Sequence, residues 1–364
     1  MTKQKIARLA STPEDYERLG IRPDISIRED GHRTNGKPGE YEWWYFDSKM
    51  DDGSSLVIVF YSQPVTASAR SYAPCMTFSL TMDGKHIQDS AGFDMEDCSF
   101  ARNQCCVRMG KSYFEDDLKN YVIHYETRKV KADVTLKPSA APWRPGTGHI
   151  LFDESKYFAW LPSVPEGKVE ATIRIDGKMY TFTGTGYHDH NWGNTGMFWL
   201  MHHWYWGRAK VGDYQIISSY ITANKKYGYE HFPVFLLLKN GEKLGDDPQY
   251  VTYTQSDHEF DPVTKKHYHK TLVYDYNDGT QHYRITYSVE DIIETFVMSD
   301  SKHTVQAKAN PLLLLVVRLA GLSPSYLRFV GRVTLERFEK DTPVEQTEAP
   351  ALWEQMYFGL DEDV

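Results

Sequence analysis

Hydrophobic and polar residues alternate along most of the patterned stretches of the chain. Residues 132–136 place Ala, Val and Leu at every second position, and the same period of two recurs over residues 283–289. This alternation is typical of a β-strand with one buried face. The pattern predicts an all-β protein with few short helices. The candidate helices are residues 13–19, 311–322 and 351–358.

Tight-turn dipeptides separate the alternating stretches. Asp-Gly and Asn-Gly accept the positive φ that a two-residue hairpin turn requires, so each predicts a link between adjacent antiparallel strands. The clearest predicted hairpin runs from Val169 to Phe182. We therefore expect up-and-down antiparallel sheets, in barrels or sandwiches. The dipeptides lie at residues 52–53, 83–84, 176–177, 240–241 and 278–279.

A Pro- and Gly-rich stretch, Pro138–Gly148, interrupts the periodicity and divides the strands into two sets. A weak repeat crosses this break: Glu42–Phe46 and its following strand resemble His203–Trp206 and its following strand. Two related β domains would explain the repeat. The predicted organisation is an N-terminal extension 1–37, a first domain 38–137, a linker 138–165, a second domain 166–340 and a tail 341–364 containing the last candidate helix.

Charge and composition exclude several classes of function. The net charge is −9 with no basic cluster, which argues against a nucleic-acid partner. Aromatic residues make up 14% of the chain, which excludes disorder. Four cysteines without disulfide or metal-binding spacing favour a reducing, cytoplasmic location, and the N-terminus lacks the apolar stretch of a secretory signal. The apolar run Leu312–Val317 is too short to span a bilayer and predicts a buried element.

The segment Gly184–Gly193 is the densest in polar chemistry. In an extended chain its alternate side chains share a face, so His188, His190 and Trp192 are expected on one side and Tyr187, Asp189 and Asn191 on the other. The three glycines predict a bend or a close backbone approach. The segment is either a proton-transfer site or a hydrogen-bonded polar strand that closes a barrel. A third possibility is a metal site, in which His202 and His203 complete the ligands.

A second cluster, Glu40–Asp47, places a carboxylate among aromatic rings. Burial of Glu42 beside Trp43 and Trp44 would raise its pKa and make it a plausible proton donor. The alternative is a doubly buried strand in which Glu42 is paired to an Arg or His.

A third cluster, Phe198–Arg208, predicts another aromatic-lined strand, containing Trp204 and Trp206. Its alternative interpretation is a core strand with Arg208 in a structural ion pair. The sequence has no dinucleotide-binding, Walker, nucleophile-elbow or HExxH motif, which disfavours nucleotide cofactors and serine hydrolysis.

Two of these clusters, Glu-Trp-Trp-Tyr-Phe-Asp at 42–47 and Gly-Tyr-His-Asp-His-Asn-Trp-Gly at 186–193, resemble the paired signatures of the carotenoid 1,2-hydratase (hydroxyneurosporene synthase) family. The wider lipocalin-like superfamily includes kievitone hydratase, AttH-like proteins and fungal Diels–Alderases. With the later Trp206-Gly-Arg208, the resemblance covers residues 38–340. It implies two tandem lipocalin-like antiparallel β domains with a cavity at or near their junction.

The resemblance also implies acid catalysis without an organic cofactor or redox chemistry. In the hydratases a proton adds to a terminal isoprenoid C=C bond, and water captures the resulting cation. The family's active residues match His190 and Trp192, together with a Tyr-x-Asp on a later strand. That strand, Tyr214–Ile221, provides Tyr220 but no Asp in this sequence. Asp189 or Glu42 is therefore the candidate donor.

The first hypothesis is a cofactor-independent hydratase or lyase acting on C=C bonds of a lipophilic isoprenoid or polyene, drawn from a membrane by transient contact. His188 and His190 would relay protons, while Tyr187 and Tyr220 orient a polar end. The alternatives are a cyclase, isomerase or Diels–Alderase, a metal-dependent enzyme, and a non-catalytic lipophile-binding protein. Expected substrate-binding residues are Trp43, Trp44, Asn191, Trp192, Trp204, Trp206 and Arg208.

Overall fold

A computed structural model describes residues 6–67, 71–116, 120–297 and 324–361. These residues form two compact units, which we call the N-terminal unit (9–196) and the C-terminal unit (6–8, 197–297 and 324–361). Each is a curled antiparallel half-barrel sheet, so the predicted all-β, lipocalin-like class is confirmed. Within the described ranges, no helix is both long enough and apolar enough to cross a bilayer.

Twenty-two strands and a few short helices make up the described chain. The N-terminal strands are β1 (Ala7–Leu9), β2 (Tyr41–Met50), β3 (Ser55–Gln63), β4 (Cys75–Met82), β5 (Lys85–Gly92), β6 (Cys98–Phe100), β7 (Cys106–Met109), β8 (Ser112–Asp116), β9 (Tyr121–Glu126), β10 (Val130–Pro138), β11 (His149–Phe152), β12 (Lys156–Ile175) and β13 (Lys178–Gly193). The later strands are β14 (Met201–Val211), β15 (Tyr214–Ala223), β16 (His231–Lys239), β17 (Glu242–Gly245), β18 (Val251–Asp261), β19 (Lys266–Asn277), β20 (His282–Val297), β21 (Ser325–Glu339) and β22 (Thr342–Tyr357). The α-helix is α1 (Pro13–Leu19), and 3₁₀ turns occupy Ile27–Asp30, Val65–Ala67, Met95–Asp97, Met197–Trp199, Lys225–Tyr227 and Pro248–Tyr250.

The sheet of the N-terminal unit is built around the long strands β12 and β13. Its strand order is β5-β4-β3-β2-β13-β12-β10-β9-β8-β7-β6, with β11 paired to β12. One face carries a continuous apolar core that includes Trp44, Phe60, Phe114 and Leu136, and we call it the core face. The opposite face of β2 and β13 is called the outer face. Strand alternation therefore decides which residues of each motif enter the core.

The C-terminal unit repeats the same architecture. Its order is β17-β16-β15-β14-β22-β21-β20-β19-β18. Its own core includes Tyr205, Phe235, Tyr287, Phe329 and Trp353. The terminal strand β22 pairs with both β14 and β21, so the last described strand lies in the middle of the sheet.

The predicted turns are confirmed. Both residues of Asp83-Gly84, Asp176-Gly177 and Asn240-Gly241 adopt positive φ, as a type I′ hairpin turn requires. Gly53 and Gly279 also have positive φ between paired strands. The hairpin predicted around residues 169–182 forms as the β12–β13 pair.

The predicted domain boundaries are wrong. Half of the proposed linker 138–165 belongs to β11 and β12, and the first unit ends at Gly196. The Pro- and Gly-rich stretch packs onto its own unit, because the Trp143 amide donates to the Pro162 carbonyl (3.0 Å) and the buried Arg144 Nε donates to Glu29 (2.9 Å). The break in the hydrophobic periodicity of the sequence therefore corresponds to a loop packed on its own unit, and not to a linker between domains. The extension 1–37 is also wrong as a separate segment, since Asp30 and its neighbours are buried in this unit.

The helix predictions have three different outcomes. Helix α1 coincides with the prediction at residues 13–19, and Thr12 and Asp15 form a capping box at its start. The predicted helix at 351–358 is wrong, because residues 351–357 form the end of strand β22. Every second side chain there is buried, including Ala351, Trp353 and Tyr357. The candidate helix at 311–322 and the apolar run 312–317 lie outside the described residues.

Candidate functional site

The segment Gly184–Gly193 forms the end of β13, between β2 and β12. The predicted alternation is confirmed. His188 and His190 lie opposite Phe46 and Trp44 on the core face, whereas Asp189 lies opposite Tyr45 on the outer face. The glycines allow close approach, as expected. A Cβ atom on Gly184 would lie 2.3 Å from the Lys49 carbonyl oxygen.

Asp189 is a buried carboxyl group held by three neutral donors. The Trp160 indole Nε1 and the Tyr187 hydroxyl donate to Oδ2 at 2.7 and 2.8 Å. The Asn191 amide contacts Oδ1 at 2.7 Å. Tyr187 and Asn191 come from the same strand face, and Trp160 comes from β12, where it pairs with Asn191. The carboxyl group is thus oriented precisely by side chains that carry no charge.

Burial raises the pKa of Asp189 to about 7, although the hydrogen bonds from Tyr187 and Trp160 oppose this rise. A group with this pKa exists in both protonation states near neutral pH, which suits a general acid. The Asn191 amide can turn either its NH₂ group or its carbonyl oxygen toward Oδ1, so the same neighbours accommodate both states.

Replacing Trp160 with Phe is expected to raise the pKa of Asp189 further, because it removes a hydrogen bond that favours the carboxylate. The measurement is an NMR titration of protein labelled with ¹³C at Asp carboxyl groups. Trp143→Phe is the matched control, since Trp143 packs edge-on against Trp160 with ring centroids 6.1 Å apart. An unchanged or lowered Asp189 pKa in Trp160→Phe would contradict this assignment.

Aromatic side chains flank Asp189 on the outer face. Trp43 pairs with Asn191 and Tyr45 pairs with Asp189, and both rings are half-buried. The neighbouring Asp47 accepts a hydrogen bond from the Tyr45 hydroxyl at 3.3 Å. This arrangement places an aromatic surface directly beside the Asp189 carboxyl group.

The histidines belong to a separate network on the core face. His190 Nε2 lies 2.9 Å from Glu42 Oε1, and His32 Nδ1 lies 2.6 Å from Glu42 Oε2. His188 Nε2 lies 3.1 Å from Asp30 Oδ2. Trp44 stacks on His190 and Trp192 packs against it at a tilt, each with its ring centroid 4.6 Å from that of His190. We call Asp30, His32, Glu42, His188 and His190 the histidine–carboxylate network.

The pKa shifts in this network indicate ion pairs. Burial would raise the pKa of both Asp30 and Glu42, but the neighbouring histidines outweigh burial and hold both pKa values below the ordinary range. Burial would lower the pKa of His188, but Asp30 outweighs it and the net pKa is raised. The lowered pKa favours the ionised form of Glu42, which argues against the predicted role as proton donor. The alternative prediction, that Glu42 is paired to a histidine, is confirmed.

His188 also contacts the backbone of β2, the strand paired with this part of β13. Its Nδ1 lies 2.8 Å from the backbone oxygen of Tyr45, the residue opposite Asp189. Its other ring nitrogen, Nε2, lies beside Asp30. A protonated His188 can therefore donate one hydrogen bond to the Tyr45 oxygen and one to Asp30. His188 and His190 thus lie on the face of β13 opposite Asp189.

The remaining predicted site residues lie in the C-terminal unit. Trp204, Trp206 and Arg208 share the half-buried face of β14, opposite its core. Tyr220 pairs with Tyr205 on the core side and stacks on Tyr253 at 3.7 Å. The structure therefore does not place Tyr220 on the face that carries Trp204.

The three-histidine metal site is not supported by residue placement. His202 and His203 belong to the C-terminal unit, where their Nδ1 atoms lie 2.8 Å apart. In the described part of the chain, the metal-binding side chains that converge within 4.8 Å are Asp30, Cys105 and His188. Burial raises the pKa of the Cys105 thiol well above its ordinary value, and Asp30 and His188 already form an ion pair.

Sequence reasoning missed three residues of the site. Asp30 and His32 come from a loop assigned to the N-terminal extension, and Trp160 comes from the supposed linker. Trp160 lies in a short apolar stretch of the sequence that forms part of β12. That apolar stretch was the signal that could have placed Trp160 on a strand. A cleft lined by residues 73–77 and 90–94 contains none of the site residues.

Comparison with known proteins gives the family. The Diels-Alderase-like family model matches residues 111–302. Hydroxyneurosporene dehydrogenase of Chlorobaculum tepidum is 25% identical over 229 residues, covering 50% of this chain and 57% of the relative. The quinolone epoxide rearrangement protein asqO of Emericella nidulans is 31% identical over 216 residues, covering 54% and 57%. The match thus spans little more than half of each relative.

A solved structure supports the fold independently. An AttH-like protein of Nitrosomonas europaea has a TM-score of 0.58 at 16% identity, covering 92% of this chain and 98% of that one. A likeness at this identity describes architecture alone, and it agrees with the two half-barrel sheets. The predicted resemblance, which included Diels–Alderases, is confirmed by the family model: the chain belongs to the Diels-Alderase-like family.

Proposed function

We propose that this chain is an acid–base enzyme that converts a lipophilic substrate into an isomer, by cyclisation or rearrangement. The observation that carries the proposal is Asp189: a buried carboxyl group with three neutral hydrogen-bond donors and a pKa raised to about 7 by burial. Strongly perturbed pKa values in precisely oriented groups are typical of catalytic acids.

The chemical role of Asp189 is to give a proton, or a strong hydrogen bond, to one atom of the substrate. The acceptor is an oxygen of a carbonyl or epoxide, or a carbon of a C=C bond. Donors fixed in a site from which water is excluded stabilise developing charge more effectively than water does. Tyr187, Trp160 and Asn191 supply that fixation and need no movement during the reaction.

The substrate class follows from the surface beside the acid. Trp43 and Tyr45 present half-buried aromatic rings next to Asn191 and Asp189. Such rings bind apolar chains, and their π faces stabilise a cation formed by protonation. We therefore propose a polyene or isoprenoid-like substrate with one polarisable group. The proposed chemistry uses only the chain's side chains, without a metal or an organic cofactor.

The family supports isomer formation over hydration. Its description is Diels-Alderase-like, and one relative is named for epoxide rearrangement. Both reactions change connectivity without changing mass. Hydration of a C=C bond is the second candidate, favoured by the same Asp189, because protonation would begin that reaction also.

The test is mass spectrometry of the purified protein incubated with acyclic isoprenoids, and with a lipid extract of its host, in H₂¹⁸O and separately in D₂O. The expected product has unchanged mass and a new retention time. Incorporation of one ¹⁸O atom would instead establish hydration. A lipophile that copurifies with the protein but is never converted would favour a carrier, and activity lost on EDTA dialysis would contradict the metal-free proposal.

A further inference from the structure

The two units have the same strand topology. In each, four strands form a meander, β2 to β5 or β14 to β17, and the last strand of the unit closes against the first of these. Strand β13 in the N-terminal unit thus corresponds to β22 in the C-terminal unit. Likewise β2 corresponds to β14, and β12 to β21. This agrees with the repeat noted in the sequence.

The register of the strands extends the correspondence to single residues. The aromatic triplets Trp43-Trp44-Tyr45 and Trp204-Tyr205-Trp206 each place the middle ring in the core. Tyr45 pairs with Asp189, and Trp206 pairs with Glu354. Glu354 therefore occupies, in the C-terminal unit, the strand position that Asp189 occupies in the N-terminal unit.

The hydrogen-bond donors correspond as well. Trp160 on β12 pairs with Asn191 and donates to Asp189 at 2.7 Å. Tyr326 on β21 pairs with Met356, two residues after Glu354, and its hydroxyl donates to Glu354 Oε2 at 2.8 Å. The carboxyl group and its donor on the adjacent strand are thus repeated in both units.

The surroundings of Glu354 differ from those of Asp189 in one respect. Trp204 Nε1 donates to Oε1 at 3.4 Å, but Leu352 and Met356 replace Tyr187 and Asn191 at the flanking positions. Burial raises the pKa of Glu354, and the Tyr326 and Trp204 hydrogen bonds, with nearby Arg328, oppose that rise. The half-buried side chain lies on the face opposite the unit's core. Burial thus favours the neutral, hydrogen-bond-donating form of Glu354, which accepts two described side-chain hydrogen bonds where Asp189 has three.

We propose that Glu354 is a second ligand-binding site, at which its carboxyl group donates a hydrogen bond to a carbonyl oxygen of a lipophilic ligand lying on Trp204 and Trp206. The site differs from Asp189 in function: Asp189 exchanges a proton, whereas Glu354 holds and polarises an oxygen. The proposal rests on the geometry of the C-terminal unit and does not require Asp189 to be catalytic.

The test uses β-ionone, an isoprenoid enone, labelled with ¹³C at its carbonyl group, with the full chain. Binding is measured by quenching of tryptophan fluorescence, and the hydrogen bond by the downfield shift of the bound carbonyl resonance. In an Asp189→Leu background, which has no side-chain hydrogen-bond donor at position 189, Glu354→Leu and Glu354→Met are expected to weaken binding between about 2-fold and 10-fold and to abolish the downfield shift. Glu354→Gln keeps an amide donor and is expected to retain most of both.

The outcomes separate this proposal from that for Asp189. A downfield shift that is lost in Asp189→Leu but kept when Glu354→Leu is made in the otherwise wild-type chain would place the ligand at Asp189 and overturn the second site. Absence of binding in the wild-type chain, or equal binding by all Glu354 variants with a native far-UV spectrum, would overturn it also. The carbonyl shift is decisive because a merely structural role for Glu354 would not create a hydrogen bond to the ligand.

Discussion

Replacing Asp189 with Asn is expected to lower turnover by about 10²- to 10⁴-fold, the range typical of a lost general acid. The amide has nearly the same shape as the carboxyl group, so the fold and the contacts with Tyr187 and Trp160 should persist. What is lost is the exchangeable carboxyl proton. The measurement is the rate of product formation from the substrate that the isotope experiment identifies, alongside cooperative thermal unfolding of the variant.

The pH dependence has a defined sign. A general acid acts in its protonated form, so kcat/KM should be constant below about pH 7 and fall as the pH rises through the pKa of Asp189. Asp47→Asn is the matched control, because Asp47 lies on the same outer face, beside Tyr187 in register, and accepts a hydrogen bond from Tyr45. Loss of activity in both variants, or more than a tenth of wild-type activity in Asp189→Asn, would argue against the assignment.

Strand alternation made half of this site predictable. Because successive side chains of a strand point to opposite faces, the sequence alone separated Asp189 from His188 and His190. The same rule accounts for the common face of Trp204 and Trp206 in the structure. Alternation describes single strands, however, and says nothing about which strand lies alongside. Trp160 reaches Asp189 only because of the β12–β13 register, which shifts at bulges between Leu161 and Gly167.

Residues that come from loops were beyond the reach of the pattern. Asp30 and His32 lie in a segment without hydrophobic periodicity. Only the folded N-terminal unit brings them into contact with Glu42 and His188. The sign of the Glu42 pKa shift was wrong for the same reason: burial alone raises it, and the two unseen histidine contacts reverse it. The predicted domain boundary was wrong because Pro and Gly are as common in the turns of a packed loop as they are in a linker.

The histidine–carboxylate network is expected to be a large contributor to stability. Its five members are fully buried or nearly so, and each carboxylate contacts two histidines. Removing one partner of a buried ion pair leaves the other charge uncompensated, which typically costs 3–5 kcal/mol. Replacing Glu42 with Gln is therefore expected to lower the free energy of unfolding by about 3–5 kcal/mol. Urea unfolding followed by tryptophan fluorescence measures it.

A control on the same sheet makes this result specific. Glu170 lies on β12 with an exposed side chain, so Glu170→Gln is expected to change the free energy of unfolding by no more than about 0.5 kcal/mol. If Glu42→Gln were as mild as this control, the network would be a minor contributor, and the ion pairs would not hold the β2–β13 junction.

The pH dependence of the difference between wild type and Glu42→Gln tests the charge states directly. The pKa values of Glu42 and Asp30 are lowered by folding, so their contribution is complete above their ordinary values of 4.5 and 3.8 and is lost as the pH falls through the folded values. The pKa of His188 is raised, so its contribution is complete below 6.5 and is lost as the pH rises through the folded value. The network should therefore stabilise most between about pH 4.5 and 6.5. A difference that grew as the pH fell below 4 would show that Glu42 is buried as a neutral acid, and it would restore Glu42 as a candidate proton donor.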